Sequence, residues 1–417
     1  MKSFFYYSKL TALSFTILAA TLSSCDSSKD EPDNDNTRTD IQLTPATKAT
    51  ANQLQGFYTE FTADAVKCNF MSPDKVSDNV IVSPLSASML LGMIANGVEE
   101  PLAAQIASYI GVEDLDALNM LSGQLLSQLP SVDRKTTVNI ANSLWTSNKY
   151  HLSDNFLSVV KNDYKAATTS LDFSNTQSAT INKWIASNSN GFINNYFESV
   201  DPNTIALILN SVYFNGEWAS EYFRKDMTTV RVFHGLHGDN KVEMMTSSKT
   251  PFGYCSQTEK FETCELYFGN NAFSLQLILP TESYMNSVEF PLLTSSDMRE
   301  LSSRQEFQGC SVVLPKFKLS PKSDLNSIFD TANLHGLNES INLTMFNPII
   351  KNQIELNQIT SFSINEKGVE AATVSSGVIG DTAYVPNYSL TFDRPFYFFI
   401  REFSTGACLL SGFIADL

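Results

Sequence analysis

Two short motifs in the chain have the residue types of a serine hydrolase. Ser158 and Lys161 have the spacing S-x-x-K, and Ser153-Asp154-Asn155 reads S-D-N, two of the elements of serine β-lactamases and penicillin-binding proteins. In those enzymes the elements come from separate parts of the fold, with S-x-x-K first. Here they are adjacent and reversed, and no K-T-G follows. A helix capped by Ser153 and Asp154 explains both motifs, so we predict no catalytic residue and no enzyme.

The histidines are scattered along the chain. They are His151, His234, His237 and His335. None has a partner at the spacing of a helical metal site, and His234-Gly235-Leu236-His237 is predicted to be a solvated turn. The sequence contains no H-E-x-x-H, G-x-S-x-G, G-x-G-x-x-G or P-loop motif. It therefore predicts neither a metal nor a cofactor.

The cysteines beyond Cys25 do not form a recognisable framework. They are Cys68, Cys255, Cys264, Cys310 and Cys408. An odd number without C-x-x-C argues against a disulfide framework or a zinc site. We expect buried free thiols instead.

The N-terminal residues 1–24 have the features of a signal peptide. Lys2 and Lys9 supply positive charge, and the apolar run Leu10–Leu22 is shorter than the about 20 residues that a membrane-spanning helix needs. The run ends in Leu22-Ser23-Ser24-Cys25, which resembles the lipobox of bacterial lipoproteins. That resemblance implies cleavage before Cys25 and lipid attachment to its thiol. An ordinary secretory signal with an incidental cysteine is the alternative.

Residues 25–43 are too polar and acidic to fold, and they are predicted to tether the lipid to a domain at 44–417. The net charge of -16 argues against nucleic-acid binding, and a lipid anchor removes the need for a basic membrane patch. We expect an outer-membrane lipoprotein, with the cell surface favoured because the tether begins with acidic residues. A periplasm-facing orientation stays open.

Hydrophobic periodicity divides 44–417 into helices first and strands later. The predicted helices are Ala51–Val66, a helix from Pro84 capped by Ser83, two helices within Leu102–Leu129 punctuated by Gly111, Asp154–Tyr164 and Ser178–Ser187. The predicted strands include Val80–Val82, Val138–Trp145, Thr168–Phe173, Thr204–Phe214, Val242–Met245, Cys264–Phe268, Phe273–Leu279, Val312–Leu314, Ile354–Ile364, Leu390–Phe392, Phe396–Ile400 and Ala407–Phe413. Thr204–Phe214 is apolar almost throughout, which indicates a central strand covered on both faces. The order indicates an α+β protein with large mixed sheets.

One stretch, Glu366–Gly377, is unusual in a chain rich in Phe and Tyr. It contains no proline, no aromatic residue and almost nothing bulky. It is either a flexible surface loop or a segment that is a loop at first and later becomes a buried strand. The rest of the chain decides between these two interpretations.

Several separated motifs resemble the serpin family, in family order. They are Asn79-Val80-Ile81-Val82-Ser83-Pro84-Leu85-Ser86, Met93-Ile94-Ala95-Asn96-Gly97, Ala141-Asn142-Ser143-Leu144-Trp145, Asn210-Ser211-Val212-Tyr213-Phe214-Asn215-Gly216-Glu217-Trp218, Met244-Met245, Leu314-Pro315-Lys316-Phe317, Asp393-Arg394-Pro395-Phe396 and Ser411-Gly412. The resemblance covers essentially everything after the tether. It implies a monomeric single domain of three β-sheets with eight to nine helices and an exposed reactive-centre loop at 366–388.

By the resemblance, the residues at the shutter and breach of the main sheet are Ser83, Ser86, Asn210, Trp218 and Gln358. Gln358 stands where many serpins have a histidine, and it keeps a hydrogen-bonding group. The helix over the main sheet also departs from the family pattern at 187–193.

Glu366–Gly377 becomes the hinge, with Glu366, Gly368, Val369, Glu370, Ala371, Ala372 and Thr373 as its members. If the loop inserts between Ile354–Ile364 and the central strand, side chains alternate between faces. Val369, Ala371, Thr373 and Ser375 would then face the core, and all four are small or β-branched. Val369 replaces the usual Thr or Ser.

Counting fourteen residues from the hinge glycine, the resemblance places the reactive bond at Thr382-Ala383, and a count back from Pro395 gives Tyr384 instead. The implied function is suicide-type inhibition by loop cleavage, acyl-enzyme trapping and strand insertion. A small residue at the bond favours elastase-like or subtilisin-like serine proteases or some cysteine proteases, and Tyr384 would favour chymotrypsin-like ones. The alternative is a non-inhibitory serpin that acts as a surface binding module.

Overall fold

The structure is a computed structural model that describes residues 38–72, 78–173, 177–248, 251–320, 323–369 and 388–417. Three sets of predicted site residues lie outside these ranges: Cys25, the hinge from Glu370 onward, and the reactive bond at Thr382-Ala383 or Tyr384. No helix within the described ranges is both long and apolar enough to cross a membrane.

The helices are concentrated in the first half of the described chain. They are α1 (Pro45–Met71), α2 (Pro84–Ala95), α3 (Leu102–Ile110), α4 (Leu115–Gln128), α5 (Asp154–Asn162), α6 (Ser178–Asn188), α7 (Glu282–Met285), α8 (Ser295–Ser303) and α9 (Leu325–Thr331). The caps explain several boundaries. Ser83 accepts a hydrogen bond from the Ser86 amide ahead of Pro84, and Gly111 ends α3 in the left-handed conformation. Helix α1 begins earlier than predicted because Thr44 caps it and Pro45 takes the first helical position.

Strands dominate the second half. They are β1 (Val80–Val82), β2 (Thr136–Ser147), β3 (Ala167–Leu171), β4 (Ala206–Glu217), β5 (Phe223–Gly235), β6 (Gly238–Ser247), β7 (Phe252–Gln257), β8 (Phe261–Phe268), β9 (Phe273–Pro280), β10 (Glu306–Pro315), β11 (Phe317–Leu319), β12 (Ser323–Asp324), β13 (Ile341–Leu343), β14 (Ile350–Asn352), β15 (Glu355–Ile359), β16 (Phe362–Asn365), β17 (Gly368–Val369), β18 (Tyr388–Thr391), β19 (Phe396–Glu402) and β20 (Cys408–Ile414).

The described strands form three sheets. The main sheet has eight strands, with β2 and β3 on one side of β4 and β11, β16, β17, β15 and β12 on the other. A second sheet has ten strands in the order β1-β20-β19-β9-β8-β7-β10-β6-β5, with β18 added to β10, and β13 and β14 pair by themselves. The predicted α+β class with three sheets is confirmed.

The core lies between the two large sheets and around α2. Every residue of α2 is buried, as its continuous apolar run predicts. Phe362 in the main sheet stacks on Phe398 in the second sheet, with ring centroids 4.2 Å apart and planes 9° from parallel. These contacts fix β16 against the second sheet.

The predicted strand Ile354–Ile364 is wrong in one respect, because it is two strands. It is interrupted at Thr360 and Ser361, where the Thr360 hydroxyl donates a 2.9 Å hydrogen bond to the Ile81 carbonyl. Below the interruption β15 pairs with β4, and above it β16 pairs with β11 and β17. The break therefore separates the lower half of the main sheet from the upper half.

Candidate functional site

The candidate site is an opening in the main sheet along one edge of β4. The opposite edge pairs with β2 along almost the whole strand, from Thr136 opposite Gly216 to Thr146 opposite Ala206. On the open edge, β15 pairs with 207–211 and β17 pairs with 216–217. Among the described residues no strand pairs with 212–215 on this edge. The opening is four residues, or about 13 Å, long.

The upper end of the opening is closed by the first residues of the hinge. Strands β16 and β17 form a hairpin whose two-residue turn is Glu366 and Lys367. Val369 pairs with Gly216 and is 1% exposed, with its side chain in the main core. The predicted inward orientation of Val369 is therefore found, but the prediction that the whole stretch begins as a loop is wrong for Gly368 and Val369.

Glycine is required at the start of β17. Gly368 has a φ of +146°, a conformation that residues with a side chain rarely adopt. A β-carbon there would also collide with the Gly216 carbonyl oxygen. Only glycine lets the hinge pair this closely with β4.

Trp218, predicted at the breach, holds the hairpin turn. Its indole Nε1 donates a 3.2 Å hydrogen bond to the Asn365 carbonyl, and its backbone amide donates a 3.0 Å bond to the Lys367 carbonyl. Its ring stacks on Phe268 with centroids 4.8 Å apart. The tryptophan thus fixes both sides of the turn with one residue.

An ion pair holds the same turn through Lys316, which lies between β10 of the second sheet and β11 of the main sheet. Lys316 Nζ lies 3.2 Å from a Glu366 carboxylate oxygen and 3.2 Å from Glu243, and the Thr228 hydroxyl donates a 2.8 Å hydrogen bond to Glu366. Burial disfavours ionisation of Glu366, which is only 14% exposed. The hydrogen bonds from its own backbone, Thr228 and Lys316 outweigh burial and lower its pKa.

Sequence reasoning placed Glu366 in the hinge but missed these partners. Lys316 lies in the quoted motif Leu314-Pro315-Lys316-Phe317, which was a signal that could have found it. Thr228 and Glu243 belong to β5 and β6, and nothing in their local sequence indicates a contact with residue 366.

The lower end of the opening is held by neutral polar groups. Gln358 is 2% exposed, and its Oε1 accepts a 2.7 Å hydrogen bond from the Ser83 amide while its Nε2 donates a 2.9 Å bond to the Ser83 carbonyl. Next to it on β4, Asn210 donates to Asn142, which donates to the Tyr164 carbonyl, both at 2.8 Å. The structure therefore brings Ser83, Gln358 and Asn210 together as predicted. The glutamine satisfies both backbone groups of Ser83.

Some buried polar atoms at this lower end have no hydrogen-bond partner among the described residues. They are Ser86 Oγ, Asn210 Oδ1 and Ser211 Oγ. A buried polar group left unpaired costs about 1–3 kcal/mol. These atoms cluster where β15 and β4 pair at the lower end of the opening.

The residues of the hydrolase-like motifs lie on and before helix α5. Ser158 is exposed on α5 and accepts a hydrogen bond from Asn162, and Ser153 caps the helix as predicted. Cys255, Cys264, Cys310 and Cys408 are buried free thiols, and Cys68 is half-buried.

Comparison with known proteins identifies this arrangement. The model of the serpin (serine protease inhibitor) family matches residues 58–417. The chain therefore belongs to the serpin family. It is 25% identical to human neuroserpin over 358 residues, covering 80% of this chain and 85% of that protein. It is 26% identical to human leukocyte elastase inhibitor over 383 residues, covering 86% of this chain and 98% of that protein.

Solved structures give the same result. The native-state structure of tengpin, a thermophilic serpin, superposes with a TM-score of 0.74 at 25% identity and covers 91% of this chain and 96% of that chain. A thyroxine-binding globulin complex with thyroxine superposes with a TM-score of 0.72 at 22% identity, covering 87% and 98%, which shows the shared fold alone.

Proposed function

We propose that this serpin is a suicide-type inhibitor of serine proteases, with cysteine proteases as a second target class. The observation that carries the proposal is that the hinge already pairs with the main sheet at Gly368 and Val369, directly above the 212–215 edge of β4, which no described strand pairs with. Loop insertion in serpins is an established case of strand addition. In this chain the first two residues of such a strand are already paired.

The observed register gives the path of insertion. Each further loop residue would pair with one residue earlier in β4, so Glu370 would lie opposite Asn215 and Thr373 opposite Val212. Four residues would thus fill the opening without breaking any pair between β4 and β15. Val374 would meet Ser211, which pairs with Ile359, so further insertion must separate β15 from β4. The lower end is therefore the barrier to complete insertion.

The side chains fit this register. Val212 and Phe214 face the main core together with Val369. The inserted Ala371 and Thr373 would lie on that same face, beside Phe214 and Val212. Both are small side chains, as a buried position beside Phe214 and Val212 requires.

The same register brings the reactive residue to the lower end of the sheet. Ile379 would lie opposite Ala206, the first residue of β4, and Thr382 would lie three residues beyond the lower end of that strand. A cavity of about 460 Å³ is found there, lined in part by Asp201, Asn203, Ile205 and Glu355. An inserted strand of 14 residues, about 45 Å long, would end near this cavity.

The chemistry requires no catalytic residue from this chain. The protease nucleophile attacks the Thr382 carbonyl carbon, the Thr382-Ala383 bond breaks, and the Ala383 amine leaves with a proton. The ester or thioester between Thr382 and the protease is then carried with the inserting strand. Inhibition results when insertion deforms the protease faster than water hydrolyses that bond.

The test is to mix the full chain with elastase-, subtilisin-, chymotrypsin- and papain-like proteases and to look for a complex that survives denaturant. Val369→Arg should convert the inhibitor into a substrate, because it places an unpaired charge in the core. Glu370→Arg is the matched control, since residue 370 would face away from that core, and it should retain inhibition. Cleavage without any stable complex would refute the inhibitory function.

A non-inhibitory binding module is the second candidate, since a thyroxine-binding globulin shares the fold. It predicts that every protease cuts the loop and turns over, and that the cut chain unfolds at the same temperature as the intact one. Insertion predicts a marked rise in the unfolding temperature instead.

We also propose that the protein is an outer-membrane lipoprotein attached through Cys25 and displayed at the cell surface. The lipobox-like Leu22-Ser23-Ser24-Cys25 and the acidic tether support this. Cys25→Ala should abolish labelling by a radioactive fatty acid and release the protein from membranes. Protease shaving of intact cells would distinguish surface display from a periplasm-facing orientation.

A further inference from the structure

Three potential metal ligands from distant parts of the chain meet at one edge of the second sheet. Asp78 precedes β1, His237 lies in the turn between β5 and β6, and Asp416 follows β20. One ligand atom from each lies within 4.8 Å of the others, and His237 Nε2 is 2.6 Å from Asp78 Oδ2. This group, called the terminal cluster below, is separate from the opening in the main sheet.

Hydrogen bonds from Asn79 and His237 hold Asp416 in place. Asn79 Oδ1 accepts hydrogen bonds from the amides of Ala415 and Asp416, at 2.7 and 3.1 Å, and Asn79 Nδ2 donates to the Asp416 carbonyl at 2.7 Å. The His237 amide donates a 3.2 Å bond to Asp416 Oδ1. A β-carbon at Gly235 would collide with this same oxygen. The turn is thus shaped around the carboxylate.

The second oxygen of this carboxylate has no such support. Asp416 Oδ2 is buried, and no donor within the described residues forms a hydrogen bond to it. A buried carboxylate oxygen without a donor is costly, and a bound cation relieves that cost. This buried, unpartnered oxygen favours a positively charged ligand, and the observation is independent of the spacing of the three side chains.

We propose that Asp78, His237 and Asp416 bind one divalent transition-metal ion of the zinc class. An imidazole nitrogen and two carboxylate oxygens are ligands that zinc accepts, and three protein ligands leave one position for water. Ligands at about 2.0–2.2 Å from a tetrahedral zinc lie about 3.3–3.6 Å apart, so His237 and Asp78 must separate slightly on binding. His237 can move because it is 64% exposed at the tip of a hairpin.

Other histidine–aspartate pairs provide matched controls. His234 lies 2.8 Å from Asp239 on the same hairpin and is 58% exposed, and His335 lies 2.6 Å from Asp330. Within the described part of the chain, neither pair belongs to a group of three ligands at this spacing. The control histidines are therefore as exposed as His237, and each also lies beside one aspartate. Only the second carboxylate distinguishes the terminal cluster from these pairs within the described residues.

The ion would connect three segments that the chain itself leaves far apart. Because it binds the folded arrangement, it should raise the temperature of unfolding with increasing concentration. Its release should leave the main sheet intact, so this proposal does not depend on protease inhibition.

The test is isothermal titration of the metal-stripped full chain with Zn²⁺, together with its unfolding temperature. We expect one ion per chain and a rise of about 2 °C or more at saturation. His237→Ala and Asp416→Asn should each weaken binding by about 10-fold or more, and His234→Ala should not. Circular dichroism shows whether each variant is folded, and His237→Ala, in an exposed turn, should be.

Three results would overturn the proposal. They are no binding of Zn²⁺ to the wild type, unchanged binding in folded His237→Ala, or equal losses in His234→Ala and His237→Ala. The last result would indicate non-specific binding by surface histidines.

Discussion

The two ends of the opening in the main sheet are held by different chemistry. At the lower end, buried neutral side chains such as Gln358 and Asn210 bridge β15, β4 and the start of α2. At the upper end, an aromatic residue, a glycine and an ion pair hold a strand of two residues against β4. The lower end joins strands that the proposed insertion would have to separate. The upper end holds hinge residues that are already paired with β4.

This difference indicates what each end would contribute to the proposed loop insertion. Neutral hydrogen bonds in a buried site are insensitive to pH and salt, and they are costly to break one partner at a time. The partly exposed pair of Glu366 and Lys316 is weaker and depends on pH. Changes at the lower end should therefore alter how easily the sheet opens, and changes at the upper end should alter how firmly the hinge is held.

Loss of Trp218 should have the largest effect on stability. Trp218→Ala removes a buried ring and both the stacking on Phe268 and the indole bond to Asn365, so it should lower the free energy of unfolding by about 3–5 kcal/mol. Urea denaturation measures this. Trp218→Phe keeps an aromatic ring that can stack on Phe268 but removes the indole donor, and it should recover most of the loss. If both variants are equally destabilised, the indole hydrogen bond dominates and stacking contributes little.

Removal of the hydrogen bonds at the lower end should have the next largest effect on stability. Gln358→Met keeps the side-chain volume but leaves the Ser83 amide and carbonyl unpaired, so we expect a loss of about 2–4 kcal/mol. Gln358→His can still donate and accept, and it should lose much less. Equal stability of Gln358→Met and the wild type would show that the lower end is held by packing alone.

Gly368→Ala should release the hinge at a smaller cost, about 1–3 kcal/mol, because alanine is strained at this φ and collides with Gly216. The amide of Val369 should then exchange hydrogen faster, as measured by hydrogen–deuterium exchange. Gly380→Ala, in the loop outside the described residues, is the control. Unchanged exchange at Val369 in Gly368→Ala would contradict the pairing of β17 with β4.

The smallest effect should be that of pH at the upper end. Because the pKa of Glu366 is lowered in the folded chain, its contribution is complete above its ordinary pKa of about 4.5 and is lost as pH falls through the folded value. The free energy of unfolding of the wild type should exceed that of Glu366→Gln by about 1 kcal/mol at pH 7. Urea denaturation at several pH values measures this difference, which should shrink in acid. A difference that is constant between pH 7 and pH 3 would show that ionisation of Glu366 is irrelevant.

The elements of the fold followed closely from the sequence where the signals were local. The cap at Ser83, the stop at Gly111 and the apolar central strand each depend on neighbouring residues, and each was found within a few positions. The interruption at Thr360 was missed, because its cause is the carbonyl of Ile81, far away in the chain.

Part of the candidate site was also predicted from the sequence, and part was missed. The family motifs identified Ser83, Gln358 and Asn210, which the structure brings together at the lower end, and Trp218, which lies at the upper end and bonds to Asn365. Lys316 was quoted but given no role, and the terminal cluster was interpreted only as a solvated turn at His234 and His237. Asp78 and Asp416 carry no local pattern that would connect them to that turn.

The sequence by itself determined the family, the order of helices and strands, and a hinge whose alternate residues are small enough to be buried. These properties depend on periodicity, capping and composition, which neighbouring residues specify. Only the tertiary structure decided that Gly368 and Val369 are already paired while 212–215 lacks a partner strand on that edge within the described chain. Strand pairing is a contact between distant segments, and its register depends on the Gly216 carbonyl, on Trp218 and on Lys316, which the hinge sequence alone does not contain.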